Sequence, residues 1–443
     1  MQKEDQQYLP HLGDEQEAAF NHLADAGLFD PQENKAFTLT GAAGTGKTFL
    51  TQAIIEHCLT EGIPVAATAT TNQAANVLEG HLPGSVSVTT IHSLLGLTMK
   101  PDFDTGKMKL VKDKDKPLTL PDGGIVLVDE ASMESTRLVR EIEKERAKRH
   151  INFLHIGDAA QLPPVENVDK DAPQFPGLQF PGVELETIHR QAKDNPIITA
   201  ATAARFGMEY LNYCQIKDGK GVALYSDDQI LKSATARFES DAYDEDPLHA
   251  RILAARNRVV RRWNRRITQE IYGTDKKFHE DMWVISMDAW TPHDQIILYT
   301  SQLLKIEELT KRELNLKPQN IPWKGQIWDM KVRTQNGRII PGVKVLAKDD
   351  RKAYEKVQDE FREEALAGER WKWRKFFEMK NELADIEPAY ASTIHKAQGT
   401  SIKYVYMMES DIRTFPKDPD FDVRQALRYV AVSRGENAVA IHR

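Results

Sequence analysis

A glycine-rich segment near the N-terminus constrains the fold of this chain more than any other feature. Residues 41–48 read Gly-Ala-Ala-Gly-Thr-Gly-Lys-Thr, which fits the pattern G-x-x-x-x-G-K-[ST]. A short apolar run over 35–40 precedes it, and a stretch with helical periodicity, 49–59, follows it. Small residues in such a loop let backbone N–H groups surround phosphates at the start of the helix. The segment therefore predicts a strand, a phosphate-binding loop and a helix rather than a chance glycine-rich turn.

Two acidic residues follow a later apolar run, as a nucleotide-hydrolysing site requires. The run over 125–128 ends in Asp129 and Glu130. We expect Lys47 to neutralise the β and γ phosphates of a nucleoside triphosphate, and Thr48 to bind Mg²⁺. Asp129 is expected to hold the same Mg²⁺ through water, and Glu130 to orient or deprotonate the attacking water. A strand ending in Asp-Glu could simply cap the next helix, but after a phosphate-binding loop the catalytic interpretation is favoured.

The length and composition limit the class of protein. A chain of 443 residues is too long for one ordinary core, so we expect at least two domains. Apolar runs at 64–69 and 151–156 alternate with helical stretches, which predicts a parallel α/β sheet. Residues 1–10 are polar and no apolar stretch could span a bilayer, which predicts no signal peptide, no membrane partner and a cytoplasmic site of action. Cys58 and Cys214 show neither a disulfide framework nor zinc spacing, and they suit a reducing compartment.

Basic residues are concentrated locally, although the formal net charge of the chain is −7. The stretch 251–266 holds seven arginines and no acidic residue. Residues 257–272 have helical periodicity, with Val260, Trp263 and Ile267 on one face. A negative net charge argues only weakly against a nucleic-acid partner, because a binding groove needs no more than local positive potential. A charge run is usually a solvated face, so the cluster supports nucleic-acid binding without establishing it.

Two segments interrupt the α/β pattern. Residues 97–103 and 108–111 flank the turn sequence Asp-Thr-Gly, which predicts a β-hairpin inserted in the first domain. Over 273–387, short β-like runs are followed by a charged helical stretch, which predicts a second insertion. The last apolar residues, Val430 and Val432, are read as the final strand of the α/β pattern.

Short motif-like segments occur in a fixed order along nearly the whole chain. They lie at 14–16, 41–48, 68–78, 90–96, 125–130, 156–165, 185–196, 391–399 and 427–435. Together they resemble the motifs of superfamily 1 helicases of the RecD/Pif1-like branch (superfamily 1B), in particular a phage member of that branch. The resemblance implies an ATP-dependent DNA helicase or translocase that moves 5′ to 3′. It also implies a role in replication or recombination and, for a protein of phage origin, a site of action in the host bacterial cytoplasm.

The resemblance implies a domain organisation as well. It predicts an α/β fold of two tandem RecA-like P-loop domains, the first carrying a β-hairpin pin and the second an SH3-like domain with a helical arm. The implied ranges are 1–94 and 120–184 for the first RecA-like domain, 95–119 for its pin, 185–272 and 388–443 for the second RecA-like domain, and 273–387 for the SH3-like domain with its arm.

The resemblance also assigns residues to the nucleotide. Gln16 would bind adenine, which makes ATP the expected nucleotide. Gln161 would sense the γ-phosphate, a role that its local sequence, equally suited to an ordinary turn, does not decide. Arg190 and Arg434 would stabilise the transition state from across a cleft, and such arginine fingers are worth about 10³ to 10⁵ in rate. The other expected ATP contacts are Gly41, Ala43, Gly44, Thr45, Gly46, Lys47, Thr48, Phe49, Gln398 and Gly399.

The expected contacts with single-stranded DNA follow the same motifs. The tripeptide Thr-Ile-His occurs at 90–92 and again at 393–395, once in each α/β half, and both copies face nucleic acid in this family. Thr70 stands where the family usually has a proline. The expected DNA contacts are Thr70, Thr71, Asn72, His92, Ser93, Pro163, Pro164, Asn257, Asn264, Thr393 and His395.

The predicted hairpin resembles the pin with which this family separates duplex strands. Phe103 and Met108 flank its turn and are the candidates to stack on the exposed base pair. Stacking of a base on an aromatic side chain is worth about 1–3 kcal/mol. Packing of these two side chains against each other is an equal alternative.

The implied cofactors are ATP and Mg²⁺, and the implied partners are single-stranded and forked duplex DNA. Single-strand-binding or replication proteins are further candidate partners, and the protein is expected to be a monomer. Three other functions stay open from the sequence. They are a translocase that displaces bound proteins without unwinding, an RNA helicase of the same superfamily, and a nucleic-acid-binding module with an inactive ATPase.

Overall fold

The computed structural model describes residues 12–113, 123–164, 173–188, 195–217, 219–292, 295–416 and 421–443. The chain divides into two compact units. The first consists of Met1–Leu97, Lys112–Tyr225 and Ala397–Arg443, and the second of Thr98–Val111 and Ser226–Lys396. The predicted domain boundaries stay a prediction. None of the helices in the described ranges combines the length and apolar character needed to cross a lipid bilayer.

The described strands and helices are numbered along the chain. The strands are β1 Ala36–Gly41, β2 Val65–Ala69, β3 Val88–Thr90, β4 Leu97–Asp102, β5 Lys107–Lys112, β6 Ile125–Asp129, β7 Asn152–Gly157, β8 Gly182–Leu185, β9 Ile216–Lys217, β10 Lys220–Tyr225, β11 Ala250–Ala254, β12 Trp283–Ser286, β13 Leu303–Asn315, β14 Lys324–Thr334, β15 Ile339–Leu346, β16 Ile386–Pro388, β17 Ala391–Thr393, β18 Ile402–Met408 and β19 Gly435–His442. The helices are α1 Asp14–Asp25, α2 Lys47–Thr60, α3 Asn72–Glu79, α4 Ile91–Leu94, α5 Thr136–Arg149, α6 Pro196–Arg205, α7 Asp227–Phe238, α8 Asp241–Glu245, α9 Asn257–Tyr272, α10 Arg351–Leu366, α11 Lys372–Glu382, α12 Ile394–Ala397, α13 Glu409–Arg413 and α14 Val423–Ser433.

A parallel sheet in the first unit carries the phosphate-binding segment. Its strands are ordered β3-β2-β6-β7-β1-β8, and each neighbouring pair is parallel. Strand β7 is buried throughout, as expected for a strand covered on both faces. Leu39, Leu127 and Leu154 from the central strands pack with Ile54 of α2 and Leu23 of α1 in one core. The predicted parallel α/β fold is confirmed, and it brings the carboxyl ends of β1, β6 and β7 to one edge of the sheet.

The C-terminal part of the first unit corrects one expectation. Strands β10 and β18 both pair in parallel with β19, and β9 pairs antiparallel with β10. The prediction of a strand at Val430 and Val432 is wrong, because both residues lie in helix α14 and the final strand is β19. Their composition suggested a strand because β-branched residues are common in strands. The buried positions Ala426, Leu427 and Val430 have the spacing of a helix face, so Arg434 follows a helix.

A basic amphipathic helix lies in the second unit. Strands β11 and β17 pair in parallel, and α9 follows β11. Helix α9 spans the predicted range and buries Val260, Trp263 and Ile267, while Arg258 and Arg261 are exposed. The predicted separation of apolar and basic faces is therefore confirmed.

The second unit also contains an antiparallel sheet and two packed helices. The sheet is ordered β15-β14-β13-β12-β16, and α10 packs against α11. Trp323 lies in a core with Ile327 and Tyr354, and Trp373 packs with Phe377. Strands β4 and β5 form the predicted hairpin, with bounds within one residue of those expected. The SH3-like class of the inserted sheet stays a prediction.

Candidate nucleotide site and nucleic-acid surface

The glycine-rich loop connects β1 to α2 at the carboxyl edge of the parallel sheet. Gly44 and Gly46 have φ values of 84° and 83°, in the left-handed region that glycine adopts without strain. The buried Thr45 closes the loop, since its Oγ1 donates to the carbonyl of Ala42 at 3.0 Å. Helix α2 then begins at Lys47. The unpaired N–H groups at a helix start favour anions, so this geometry suits a phosphate.

Lys47 is folded back onto this loop. Its Nζ donates to the carbonyls of Gly41 at 2.7 Å and Ala42 at 2.9 Å. Burial lowers the pKa of Lys47, and the carboxylates of Asp158, Glu130 and Asp129 act in the opposite direction. The ammonium group is therefore close to three carboxylates in a partly desolvated site. Its positive charge would attract a bound phosphate strongly there, because electrostatic interactions are stronger away from water.

The two acidic residues at the end of β6 have different environments. Burial and the neighbouring Glu130 raise the pKa of Asp129 to about 6, while the bond from the backbone N–H of Glu130 to Oδ1 of Asp129, at 2.9 Å, acts against this rise. Glu130 has φ 54°, a strained value for a residue with a side chain. Its Oε2 is buried and has no hydrogen-bond partner among the described residues. A buried carboxylate oxygen without a protein partner is costly in a folded protein, so this atom is suited to accept a hydrogen bond from a ligand.

A divalent cation fits this site only together with phosphate and water. No cluster of three or more histidine, cysteine, aspartate or glutamate side chains in the described ranges could hold a metal by itself. Thr48, in the first turn of α2, and Asp129, at the end of β6, offer two oxygen ligands. Mg²⁺ is usually bound by one or two protein oxygens, with waters and substrate phosphates completing its shell. The donor set therefore fits Mg²⁺ bound with a nucleotide.

Two glutamines from distant motifs meet in this site. Nε2 of Gln398 donates to Oε1 of Gln161 at 2.9 Å and to Oγ of Ser132 at 3.1 Å, and both glutamines are buried. Gly399 follows with φ 75°, and a side chain there would place its Cβ 3.0 Å from Cβ of Ala74. The structure therefore brings the predicted sensor Gln161 together with Gln398, one of the predicted ATP contacts.

Arg434 belongs to the same unit as the phosphate-binding loop. It follows α14, and its Nη1 and Nη2 donate to the carbonyl of Thr400 at 3.4 Å and to Oγ of Ser433 at 3.3 Å. Its Nε is buried and has no hydrogen-bond partner within the described part of the chain. The charge of Arg434 also acts to lower the pKa of Asp129, so the guanidinium lies within electrostatic reach of the predicted metal-binding carboxylate. Arg190 lies outside the described residues.

Gln16 reaches the loop from the start of α1. It is buried, and its Nε2 donates to the carbonyl of Gly46 at 3.3 Å, while its Oε1 accepts from the N–H of Gly13 at 3.0 Å. Phe49, on the first turn of α2, is 37% exposed and available to a ligand. The predicted adenine-binding residue is thus in contact with the predicted phosphate loop.

Three further site residues were missed from the sequence. Asp158 accepts hydrogen bonds from Tyr429 Oη at 2.5 Å and from Arg205 Nη2 at 3.1 Å. Arg205 also acts to lower the pKa of Lys47, so it is near the phosphate loop. A polar residue directly after β7 was the available signal for Asp158, because carboxyl ends of parallel strands meet at ligand sites. Tyr429 lies in the motif at 427–435 but was given no role, and no local pattern in the sequence indicates Arg205.

The motif after β2 is connected to the catalytic strand. Oγ1 of Thr70 donates to the carbonyl of Glu130 at 3.3 Å. Oγ1 of Thr71 accepts from the N–H of Ala74 at 3.1 Å and so caps α3, which begins at Asn72. Thr70 therefore joins a predicted DNA-binding segment to the residue expected to activate water.

The repeated Thr-Ile-His segments each begin a short helix, α4 or α12. Burial lowers the pKa of both His92 and His395, so the neutral form of each side chain is favoured in the protein alone. Ser93 is exposed and its hydroxyl accepts from Thr90 at 3.1 Å, whereas Thr393 is buried and its hydroxyl accepts from the N–H of Lys396 at 3.3 Å.

The remaining predicted DNA contacts differ in accessibility. Asn257 is exposed at the start of α9. Asn264 is buried, and its amide group accepts from the N–H of Ala391 at 2.8 Å and donates to the Ala391 carbonyl at 3.5 Å. Asn264 therefore orders the strand that carries Thr393. Pro163 is half-buried and Pro164 is buried, in the segment after Gln161.

The hairpin turn packs on helix α11 of the same unit. The ring of Phe103, 46% exposed, lies 6.0 Å from the ring of Phe377 in an edge-to-face arrangement. Gly106 has φ 68°, and a Cβ there would lie 2.3 Å from the ring of Trp373. Met108 is 38% exposed. Phe103 thus contacts Phe377, whereas the sequence suggested either stacking on a base pair or packing against Met108.

Comparisons with known proteins find helicases among the relatives of this chain. An AAA domain family model matches residues 11–231. The ATP-dependent DNA helicase dda of Enterobacteria phage T4 is 28% identical over 446 residues, covering 96% of this chain and 97% of the relative. The ATP-dependent RecD2 DNA helicase of Deinococcus radiodurans is 30% identical over 217 residues, covering 47% of this chain and 27% of the relative.

Solved structures of low sequence identity share the fold. A Pif1 helicase from Bacteroides, in complex with ADP-AlF3 and single-stranded DNA, has a TM-score of 0.53 at 19% identity and covers 97% of this chain and 92% of its own. A structure concerned with DNA unwinding at forked double-stranded DNA by two coordinating Pif1 helicases has a TM-score of 0.53 at 18% identity, with the same two coverages. This chain is therefore similar over nearly its whole length to an ATP-dependent DNA helicase, and it shares the fold of Pif1 helicases.

Proposed function

We propose that this chain uses ATP hydrolysis to move 5′ to 3′ along single-stranded DNA and to unwind duplex DNA ahead of it. The observation that carries the proposal is the convergence of Lys47, Asp129, Glu130, Gln161 and Arg434 within one unit, although they come from motifs spread over most of the chain. DNA is proposed as the substrate because the relatives are named as ATP-dependent DNA helicases.

In this proposal the loop and Lys47 bind the β and γ phosphates, and Gln16 binds adenine. Thr48 and Asp129 hold Mg²⁺, which neutralises charge on the phosphates when it is bound. Glu130 orients the attacking water and accepts its proton, a role supported by its buried Oε2, which no described residue pairs with. Loop residues Gly41, Ala43, Gly44, Thr45 and Gly46 shape the phosphate cradle.

Charge that develops on the γ-phosphate is stabilised by Arg434 and, on the resemblance alone, by Arg190. Gln161 senses the γ-phosphate and passes its state to Gln398, to which it is hydrogen-bonded. Through Thr70, the segment that binds DNA phosphates responds to the position of Glu130. Binding along the phosphate backbone is largely independent of sequence and weakened by salt.

The partners in this proposal are single-stranded and forked DNA, the DNA forms studied in the Pif1 structures. We propose a monomer as the working form, with single-strand-binding or replication proteins as further partners.

The test is strand displacement on forked DNA that carries a 5′ or a 3′ single-stranded tail, with ATP hydrolysis measured in parallel. We expect hydrolysis that single-stranded DNA stimulates, and displacement from the 5′-tailed fork only. Displacement from 3′ tails alone would indicate movement from 3′ to 5′ and contradict the proposed direction. Hydrolysis without displacement from either tail would favour a translocase that removes proteins. RNA tails that support displacement as well as DNA tails would favour an RNA helicase.

Replacing Phe377 with alanine is expected to slow unwinding by a factor of about 2 to 10, because an aromatic pair contributes about 0.5–1.5 kcal/mol beyond its area burial. The variant leaves the hairpin intact and removes the ring on which Phe103 rests. Unwinding of a forked duplex and hydrolysis with single-stranded DNA are measured together, and hydrolysis is expected to stay unchanged.

Trp371→Ala is the matched control for this change, because Trp371 precedes α11 but is 61% exposed. An equal loss of unwinding in both variants would contradict a specific role for the contact of Phe103 with Phe377.

A further inference from the structure

The hydroxyl group of Tyr429 joins distant segments of the first unit. Tyr429 is buried on α14, and its Oη accepts a hydrogen bond from the backbone N–H of Ala43, in the phosphate-binding loop, at 2.9 Å. The same Oη donates to Oδ2 of Asp158 at 2.5 Å. The hydroxyl therefore uses both a donor and an acceptor, and it bridges groups 386 and 271 residues away in sequence.

Asp158 extends this connection to the predicted sensor. Its Oδ1 accepts from Arg205 Nη2 at 3.1 Å and from the N–H of Ala160 at 3.0 Å. Its backbone carbonyl accepts from the N–H of Gln161 at 3.1 Å. A shift of Asp158 would therefore shift the loop that carries Gln161.

Tyr429 is also close to the end of the helix that leads to Arg434. Helix α14 ends at Ser433, so Tyr429 and Arg434 are five residues apart, less than two helical turns. Because a helix is stiff over this length, the position of Oη fixes the base of Arg434 relative to the loop. The hydroxyl directly bonds α14 to the backbone of the phosphate-binding loop.

We propose that Tyr429 is a positioning residue that sets Arg434 against the phosphate-binding loop through its bonds to Ala43 and Asp158. This inference rests on the proposed function, since it concerns how the same ATP site reaches its catalytic geometry. An arginine stabilises a transition state only when it is held in position beforehand, and small displacements of catalytic groups cost large factors in rate. Tyr429 would act on turnover through Arg434, without touching the nucleotide.

The chemistry of the hydroxyl fits this role. Burial, and then the charge of Asp158, raise the pKa of Tyr429, so the hydroxyl keeps its proton and donates at neutral pH. Tyr429→Phe would leave a backbone N–H and a carboxylate oxygen without this partner in a buried site. Such losses are expensive because neither group regains water easily.

The test is Tyr429→Phe, measured in steady-state ATP hydrolysis with saturating single-stranded DNA and in binding of ADP with and without aluminium fluoride. We expect kcat to fall about tenfold or more, while KM for ATP changes less than about twofold. The affinity for ADP with aluminium fluoride, which imitates the transferring phosphoryl group, is expected to fall by a similar factor, and the affinity for ADP alone to stay unchanged.

Two control variants separate positioning from a general structural defect. Tyr210→Phe removes a buried hydroxyl of the same unit that donates to Oε2 of Glu409 at 2.7 Å, away from the loop. Arg424→Ala removes a side chain of the same helix α14, whose Nε donates to the carbonyl of Phe415 at 2.7 Å. Both are expected to lower the thermal midpoint as much as Tyr429→Phe or more, and to keep kcat and aluminium fluoride binding near wild type.

The inference is overturned if Tyr429→Phe has wild-type kcat, if KM for ATP and ADP affinity change as much as kcat, or if either control loses kcat equally. If wild-type protein hydrolyses no ATP with DNA present, the proposed function fails instead. Should Tyr429→Phe not fold, Asp158→Asn weakens the same bond from the acceptor side, and the same comparison of kcat, KM and aluminium fluoride binding applies.

Discussion

Replacing Arg434 with alanine is expected to reduce the turnover of DNA-stimulated ATP hydrolysis by about 10³- to 10⁵-fold. The guanidinium group lies within electrostatic reach of Asp129, and its buried Nε has no hydrogen-bond partner in the described ranges, so it is available to negative charge that develops on the γ-phosphate. Because that charge is greatest in the transition state, the loss should fall on kcat much more than on the affinity for ATP.

Arg434→Lys is expected to recover little of this activity, since an ammonium group lacks the planar fork of guanidinium. Arg413→Ala is the matched control, because Arg413 bonds to Glu409 in the same unit, away from the phosphate loop. Steady-state hydrolysis with single-stranded DNA measures the effect on kcat, and equilibrium binding of a non-hydrolysable ATP analogue measures the effect on affinity. A fall in analogue affinity that accounts for the whole loss of kcat/KM would contradict a transition-state role.

Replacing Glu130 with glutamine is expected to lower turnover by about 10²- to 10⁴-fold, the usual contribution of a general base. The same variant should unfold at a higher temperature than the wild type. Glu130 has a buried Oε2 without a partner among the described residues, and its charge raises the pKa of Asp129. Removing one of two adjacent carboxylate charges relieves this repulsion, so the protein would gain stability as it loses activity.

Glu145→Gln is the contrasting control for the stability effect. Burial acts to raise the pKa of Glu145, but hydrogen bonding and charge from Lys112 and Lys148 outweigh it, so the net pKa is lowered. A lowered carboxylate pKa contributes stability above the unfolded-state pKa, so at neutral pH this substitution should lower the thermal midpoint. Calorimetry at pH 7 without nucleotide measures both variants. A lower midpoint for Glu130→Gln would contradict the repulsion argument.

Local patterns were sufficient for much of the fold. The phosphate-binding loop, the parallel sheet around it and the bounds of α9 could all be predicted, because each depends on residues close together in sequence. The hairpin at 97–112 was also predictable, since its turn sequence and the runs beside it are adjacent. The strand expected at Val430 and Val432 was wrong because short apolar runs do not distinguish a buried helix from a strand.

The long-range contacts of the site could not be predicted from such patterns. The bonds of Tyr429 to Ala43 and Asp158 join segments hundreds of residues apart. The hydrophobic periodicity of a helix predicts its buried face but does not predict which distant loop it contacts. The same holds for the burial of Asn264 against Ala391. Motif resemblance indicated which residues belong near the nucleotide, whereas the hydrogen bonds that hold them depend on the folded backbone.

The hairpin has a mechanical consequence. A two-stranded ribbon is by itself a compliant element, marginally stable in water. Here its turn packs against Trp373 so closely that a side chain at position 106 would clash with the ring, and Phe103 contacts Phe377. A load applied to the turn is therefore transmitted in compression to α11, instead of bending the ribbon about its base. The stiffness of the tip is then set by the packing of α10 and α11, so substitutions deep in that helical pair should change the force at which the hairpin yields.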